Sequence, residues 1–257
     1  MTGVLASVRS ADEAEVALAA GAEIIDFKEP RSGALGALPA EVIRTAIARI
    51  GGRRPLSATV GDLPMEPQPL ARAVGNVHAL GVDFVKVGLR EDPALASCLT
   101  ALDAAAASGV RIVAVLFADT APDFALIERA CDHGLVGVML DTADKRRGTL
   151  RDFLDDTRLS EFVARARAVG LLAGLAGSLR GSDIADLVAL GPDYVGFRGA
   201  LCSNGRAAEL DPARTRAICA AVRSQAARSA ATATAGAQRA PHSRASAVPA
   251  MSVAKST

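Results

Sequence analysis

Aromatic side chains are scarce in this 257-residue chain, which has no tryptophan, one tyrosine and seven phenylalanines. Without aromatic platforms there is little on which nucleic-acid bases can stack. Excess charge of either sign is missing too, since 29 lysines and arginines against 28 aspartates and glutamates leave a net of +1. That balance offers no electrostatic footprint for nucleic acid or for an anionic membrane surface. No apolar run approaches the ~20 residues of a spanning helix. The N-terminus passes from a short apolar run straight into acidic helical sequence, unlike a signal peptide. Neither nucleic acid nor membrane is an expected partner, and the expected location is the cytoplasm.

Paired cysteine spacing is also absent. Cys98, Cys131, Cys202 and Cys219 lie far apart with no C-x-x-C. Zinc sites and disulfide frameworks need closer or denser spacing, so reduced thiols and no bound metal are expected. His78 and His133 lack partners four residues away and read as ordinary helix residues. No G-x-G-x-x-G follows the first apolar run, which leaves a dinucleotide site unsupported. No cofactor is expected.

What the chain does have is a regular alternation. Short apolar runs at residues 4–8, 24–28, 56–60, 84–89, 112–117, 136–141, 171–176 and 194–198 are separated by longer Ala/Leu-rich segments. Segments 11–20, 40–50, 93–108, 159–169 and 181–190 have helical periodicity and good helix formers. Ser10-Ala11-Asp12-Glu13 resembles a capping box, and Pro39, Pro93 and Pro212 suit a first helical turn. Gly21, Gly81, Gly109, Gly134, Gly170 and Gly191 each stand just before the next apolar run, as helix-ending glycines do. About eight nearly continuous apolar strands, each followed by a helix, predict parallel strands under a helical cover. The expected fold is α/β, a single (β/α)8 TIM barrel over residues 1–225, with an open doubly wound sheet as runner-up. Residues 226–257 are rich in Ala, Ser, Thr, Arg and Pro without apolar periodicity, and a disordered C-terminal tail is expected there. Ala/Leu faces on the barrel helices suggest a homo-oligomer.

Charged residues inside the strand runs point to chemistry. Asp26 and Lys28 end the second run two residues apart, so both face one way and share a pocket. Lys86 sits in the fourth run and Asp141 ends the sixth. Strand C-termini form the active-site mouth of a barrel, where alternate strands contribute to one layer. A single lysine–aspartate pair would read as a stabilising contact. Two lysines with two carboxylates at strand ends favour catalysis. A buried lysine with a lowered pKa can form a Schiff base with a carbonyl, and a second base can then move the proton the iminium acidifies.

Loops seven and eight read Gly177-Ser178-Leu179-Arg180-Gly181-Ser182 and Arg198-Gly199-Ala200. Glycine-rich turns at this place in a barrel commonly bind phosphate on backbone N–H groups, and Gly177, Ser178, Arg198 and Gly199 are the candidates. Arg198 can add a charged fork or belong to the barrel interior. The small-molecule substrate expected is therefore a phosphosugar.

Six ordered motifs carry a resemblance. They are Ile25-Asp26-Phe27-Lys28-Glu29-Pro30-Arg31-Ser32-Gly33-Ala34-Leu35-Gly36, Ser57-Ala58-Thr59-Val60-Gly61-Asp62, Val85-Lys86-Val87-Gly88, Met139-Leu140-Asp141-Thr142-Ala143, Leu175-Ala176-Gly177-Ser178 and Val195-Gly196-Phe197-Arg198-Gly199-Ala200. Over the whole barrel, tail excluded, the chain resembles the (5-formylfuran-3-yl)methyl phosphate synthases. The resemblance implies condensation of two glyceraldehyde 3-phosphate molecules, with loss of phosphate and water, to the furan precursor of methanofuran-type one-carbon carriers. It places the Schiff-base lysine on Lys28, the proton-accepting lysine on Lys86, and supporting roles on Asp26, Asp141 and Lys145. Another class I aldolase on a sugar phosphate, or a non-catalytic phosphosugar-binding barrel, are the alternatives.

Overall fold

A computed structural model of the chain describes residues 1–238. Its elements in order are β1 (Gly3–Val8), α1 (Ala11–Ala20), β2 (Ile24–Phe27), α2 (Ala40–Ile50), β3 (Leu56–Thr59), α3 (Pro67–His78), β4 (Phe84–Gly88) and α4 (Leu95–Ala107). There follow β5 (Ile112–Phe117), α5 (Leu126–Asp132), β6 (Gly137–Asp141), α6 (Leu150–Phe153), α7 (Asp156–Ala168), β7 (Leu172–Leu175), α8 (Ile184–Ala189), β8 (Tyr194–Phe197) and α9 (Pro212–Gln238). The eight strands pair in sequence order, all parallel, and β8 closes on β1. This is the TIM barrel.

Strand alternation divides the strand residues into two populations. Val4, Ala6, Ile25, Phe27, Val85, Val87, Ala114, Leu116, Val138, Leu140 and Leu175 face the helices and form one continuous core with them. Leu5, Phe84, Val113, Val115, Phe117, Met139 and Tyr194 form a second core inside the barrel. The inner positions of β1, β2, β4 and β6 also carry Ser7, Asp26, Lys86 and Asp141, all buried. The charged residues therefore share the parity of the barrel lumen.

The lumen is filled unevenly. The connection from β2 to α2 turns Ala34 and Leu35 down into the inner core. It is held there by Thr59 Oγ1 donating to Gly36 O at 2.9 Å and Leu35 N–H donating to Asp62 at 3.1 Å. A Cβ added at Gly88 would stand 2.9 Å from Leu35 and 3.1 Å from the Phe117 ring, so this side of the mouth is plugged by close packing. The opening is left over β6, β7, β8 and β1.

Several local expectations change in detail. Ser10 caps α1 by accepting the Glu13 N–H at 3.2 Å, but the Glu13 carboxylate turns to the Arg9 N–H rather than closing a capping box. Pro93 stands two residues ahead of α4. The expected domain boundary at 225/226 falls inside α9, where Ala226 is buried against the barrel. Alanine and arginine keep good helix propensity there, and no proline interrupts before Pro241. The remainder of the expected tail, 239–257, lies outside the described residues. Among the described residues, Met1 is the exposed large hydrophobic. Among those residues, no helix is long and apolar enough to cross a membrane.

Gly174 sets a test of the lumen packing, because a Cβ there would lie 2.3 Å from the Tyr194 ring. Gly174→Ala is expected to lower the unfolding free energy by about 1–3 kcal/mol in urea titrations, the cost of overpacking. Combined with Tyr194→Leu it should cost less than the two single losses together, since the clash is shared. Strictly additive losses would show that the two side chains do not collide.

Candidate active site

The lumen charges pair across strands rather than within them. Lys86 Nζ lies 2.6 Å from Asp26 Oδ1. The same carboxylate accepts the Ser57 hydroxyl at 2.7 Å and the Ser7 hydroxyl at 2.9 Å. Registers β1–β2 and β2–β3 place Ser7 and Ser57 on either side of Asp26, which is why both can reach it. Burial drives the Lys86 pKa down; attraction to Asp26 opposes this, and the nearby Lys28 ammonium adds to the lowering.

The second group sits at the mouth. Lys28 Nζ lies 3.4 Å from Asp141 Oδ2. Asp141 Oδ1 accepts a short hydrogen bond from Lys145 Nζ and another from the Thr142 N–H at 2.8 Å. Lys145 comes from the loop after β6, and its ammonium also donates to Thr142 Oγ1 at 3.2 Å. Asp119 fixes that loop by accepting the Ala143 and Asp144 N–H groups at 2.7 and 2.9 Å. For Asp141, burial pushes the pKa up, but the ammonium charges of Lys145 and Lys28 overcome it and hold the carboxyl well below the usual range. For Lys145, burial outweighs the pull of Asp141, Lys28 adds repulsion, and the pKa falls to about 8. One carboxylate faces two amines.

These positions revise one expectation. Asp26 and Lys28 do not share one pocket, because Lys28 lines the mouth with Asp141 while Asp26 pairs with Lys86 away from it. A cavity of about 410 Å³ opens at the mouth, lined by Ser7, Lys28, Asp141 and Lys145. Asp26 and Lys86 are packed beneath it, with Lys86 among Ser57, Phe84 and Tyr194. Ser7, which lines the cavity and also donates to Asp26, joins the two levels. The sequence reading missed it, since a serine inside a strand has no distinguishing signal.

Loops β7–α8 and β8–α9 form the opposite wall, through Gly177, Ser178, Gly199 and Ala200. Among the described residues, the N–H groups of these four make no hydrogen bond. Gly177 has φ +115, and a Cβ there would press on Thr142 at 3.1 Å, so the close turn requires glycine. Ser178 adopts φ 52, an uncommon conformation for a residue with a side chain. The backbone donors expected for phosphate do line the cavity.

Arg198 is different. Its Nε donates to Arg206 O at 2.8 Å, and its terminal nitrogens donate to Ser7 O at 3.1 Å, Ala208 O at 2.6 Å and both oxygens of Glu13. A guanidinium has five N–H donors, and these five contacts use them all. The phosphate role expected of Arg198 is therefore corrected. It is a buried ion pair with Glu13 that locks β8, α1 and the 206–208 segment together. Among the described residues, the other arginines lining the cavity are Arg180, Arg206 and Arg214; the sequence placed Arg180 in the phosphate loop without singling it out, and gave no signal for Arg206 or Arg214. Asp141 is the one carboxylate lining a cavity that also holds Lys28, Lys145 and these three arginines. The lining therefore carries a surplus of positive charge.

Comparison with known proteins follows the same line. A family model described as 4-HFC-P synthase matches residues 4–219. A protein from Methylorubrum extorquens is 46% identical over 216 residues, covering 82% of this chain and 87% of its own length. A (5-formylfuran-3-yl)methyl phosphate synthase from Methanopyrus kandleri is 40% identical over 218 residues, covering 79% of this chain and 90% of its own. One from Methanosarcina mazei is 35% identical over 219 residues, covering 80% and 93%. Among solved structures, 3-hexulose-6-phosphate synthase from Salmonella typhimurium aligns with a TM-score of 0.62 at 15% identity, over 87% of this chain and 100% of that one. Thiamine phosphate pyrophosphorylase from Pyrococcus furiosus gives 0.60 at 14%, over 89% and 96%. At these identities the structural likeness speaks for the barrel alone.

The Lys145 amine gives a direct check on the mouth. Its side-chain carbon resonances, followed by NMR, should titrate near pH 8 against an ordinary lysine value of 10.5. The unfolded chain keeps that proton to higher pH, so this group penalises the fold below pH 8 and the penalty lifts as pH rises through it. In Lys145→Gln the inflection should vanish. An inflection above pH 10 in the native protein would refute the crowded-amine arrangement.

Proposed function

The chain belongs to the 4-HFC-P synthase family, and on that footing we propose that it joins two molecules of glyceraldehyde 3-phosphate into (5-formylfuran-3-yl)methyl phosphate. Atom balance requires one phosphate and two waters to leave. The observation that carries the reading is the pair of buried lysines, each with its own carboxylate, one open to a cavity with surplus positive charge and one beneath it. Family membership supplies the furan product. The residues supply the chemistry.

In this reading Lys28 is the nucleophile. Its amine must be neutral to attack the aldehyde carbon, and Asp141 with Lys145 is the group that moves its proton away, since one carboxylate cannot compensate two ammonium ions. Attack forms the C–N bond and places a proton on the former carbonyl oxygen. Loss of that oxygen as water gives the iminium. The iminium then draws electrons from the neighbouring C–H bond, and the electron pair moves to the nitrogen as an enamine. The released proton passes to the lower level, where burial lowers the Lys86 pKa and Asp26 stabilises the ammonium that forms. Ser7 is the hydroxyl that touches both levels. The enamine carbon adds to the second aldehyde. Phosphate elimination, ring closure and dehydration complete the furan, and hydrolysis of the imine returns Lys28.

Borohydride decides the first covalent step. Glyceraldehyde 3-phosphate with borohydride should leave a reduced adduct that peptide mapping assigns to Lys28. Lys28→Arg should melt like the native protein yet lose furan formation by a factor of about 10³ or more, because a guanidinium cannot form the imine. An adduct mapped elsewhere, or turnover retained in Lys28→Arg, would sink the assignment. Cleavage or interconversion of triose phosphates without furan absorbance would instead mark a simpler aldolase.

A further inference from the structure

The proposed reaction brings two phosphate monoesters into one cavity, each carrying about −1.5 to −2 charge at neutral pH. The glycine-rich wall gives one of them a place, with the open N–H groups of Gly177, Ser178, Gly199 and Ala200 and with Arg180 and Arg214 on the same wall. A second place has to satisfy the other.

Arg206 is built for it. The residue sits in the segment after β8 and is half-buried. Its main chain is clamped, because its carbonyl accepts Arg198 Nε at 2.8 Å and Ala208 O is held by the same guanidinium. Arg198 is fixed in turn by Glu13 on α1, whose carboxylate also accepts the Leu210 N–H at 3.3 Å. One terminal nitrogen of Arg206 donates to Gly33 O at 3.2 Å in the β2–α2 connection. The side chain therefore reaches from the β8 side of the mouth to the β2 side. The rest of its fork makes no hydrogen bond among the described residues and lines the cavity with Lys28 and Lys145. A planar fork with free donors matches phosphate in a way a lone ammonium does not.

We propose that Arg206 forms a second phosphate-monoester subsite, on the side of the mouth where its fork reaches Gly33, that holds the phosphate of the second triose phosphate. The assignment of its occupant rests on the two-substrate reading above. It also gives the Glu13–Arg198 pair a task, as a positioning device that sets where Arg206 enters the cavity.

Calorimetric titration with inorganic phosphate tests the subsite without any reaction. The native chain should bind two phosphates, and Arg206→Gln should bind one with the remaining affinity unchanged. Arg206→Lys should keep the second, weaker by about 10-fold to 100-fold, the range of one or two charge-assisted hydrogen bonds. Native-like melting of both variants excludes a folding defect. Borohydride trapping of glyceraldehyde 3-phosphate on Lys28 should survive in Arg206→Gln while furan formation falls, because only the second substrate loses its anchor. A single phosphate bound by the native chain, two retained by Arg206→Gln, or trapping lost along with furan formation would overturn the proposal. If the native chain gives no adduct at all, the Schiff-base reading fails, while the phosphate count still decides the subsite.

Discussion

Placing an ammonium inside a parallel barrel is costly unless an opposite charge touches it, and breaking such a pair strands a buried charge. Lys86 is 2% exposed, and Asp26, 0% exposed, is the carboxylate that makes its position tenable. Asp26 in turn needs more than one partner to replace its lost water, and Ser7 and Ser57 supply hydroxyls from the two adjoining strands. Asp26 is thus committed to Lys86 and the two serines, away from Lys28 just past the end of the same strand. Lys28 has its counter-charge across the mouth, at Asp141 on β6. The crossed pairing is built around one buried lysine.

The asymmetry of the mouth has a similar root. Leu35 and Ala34 fill the lumen over β4 and β5, so Lys86 lies under an apolar plug and Lys28 beside an opening. Two amines of one residue type thereby occupy different dielectric surroundings, the usual means by which a site gives like groups unlike roles. Across the opening, the Glu13–Arg198 pair converts a capping position on an outer helix into support for the cavity wall. A helix that never touches the cavity helps to shape it.

Much of the fold was readable in advance, because βαβ repetition marks both ends of each unit. The glycines at 21, 81, 109, 134, 170 and 191 all have positive φ and end helices where expected. Strand limits fell within a residue, since apolar runs buried on both faces stop where the lumen meets solvent. The lysines and aspartates were readable because charge at a lumen position is conspicuous. Their partners were not, as Lys28 and Asp141 are 113 residues apart and only closure of the barrel joins them. Arg198 misled for a related reason. Beside glycines it looks like an anion ligand, and Glu13 looks like a capping residue. Each had a local explanation, and the contact between them is 185 residues long-range. Arg206 carried no pattern at all; only the folded loop brings it to the cavity. Beyond the barrel, α9 outruns the boundary drawn from composition because alanine-rich sequence lacks apolar periodicity and still favours helix.

The stoichiometry at Asp141 bears on why the mouth has three charged groups rather than two. A lysine with a private carboxylate is a stable ion pair, and stability of the ammonium is the opposite of what a nucleophile needs. Lys145 shares the same carboxylate, and its pKa falls to about 8, first through burial and then through repulsion by Lys28, against the pull of Asp141. In the proposed mechanism an amine that gives up its proton near pH 8, on the carboxylate that Lys28 also uses, is where the Lys28 proton goes. When a phosphate dianion enters, the surplus positive charge is what it meets, so the crowding that loosens the proton also favours the substrate. Lys86 is the ammonium that Asp26 pairs with, and burial lowers its pKa, so in the proposed mechanism it takes up a proton and can release it again. The two carboxylates thus give the two lysines different surroundings, the difference on which the proposed imine mechanism rests.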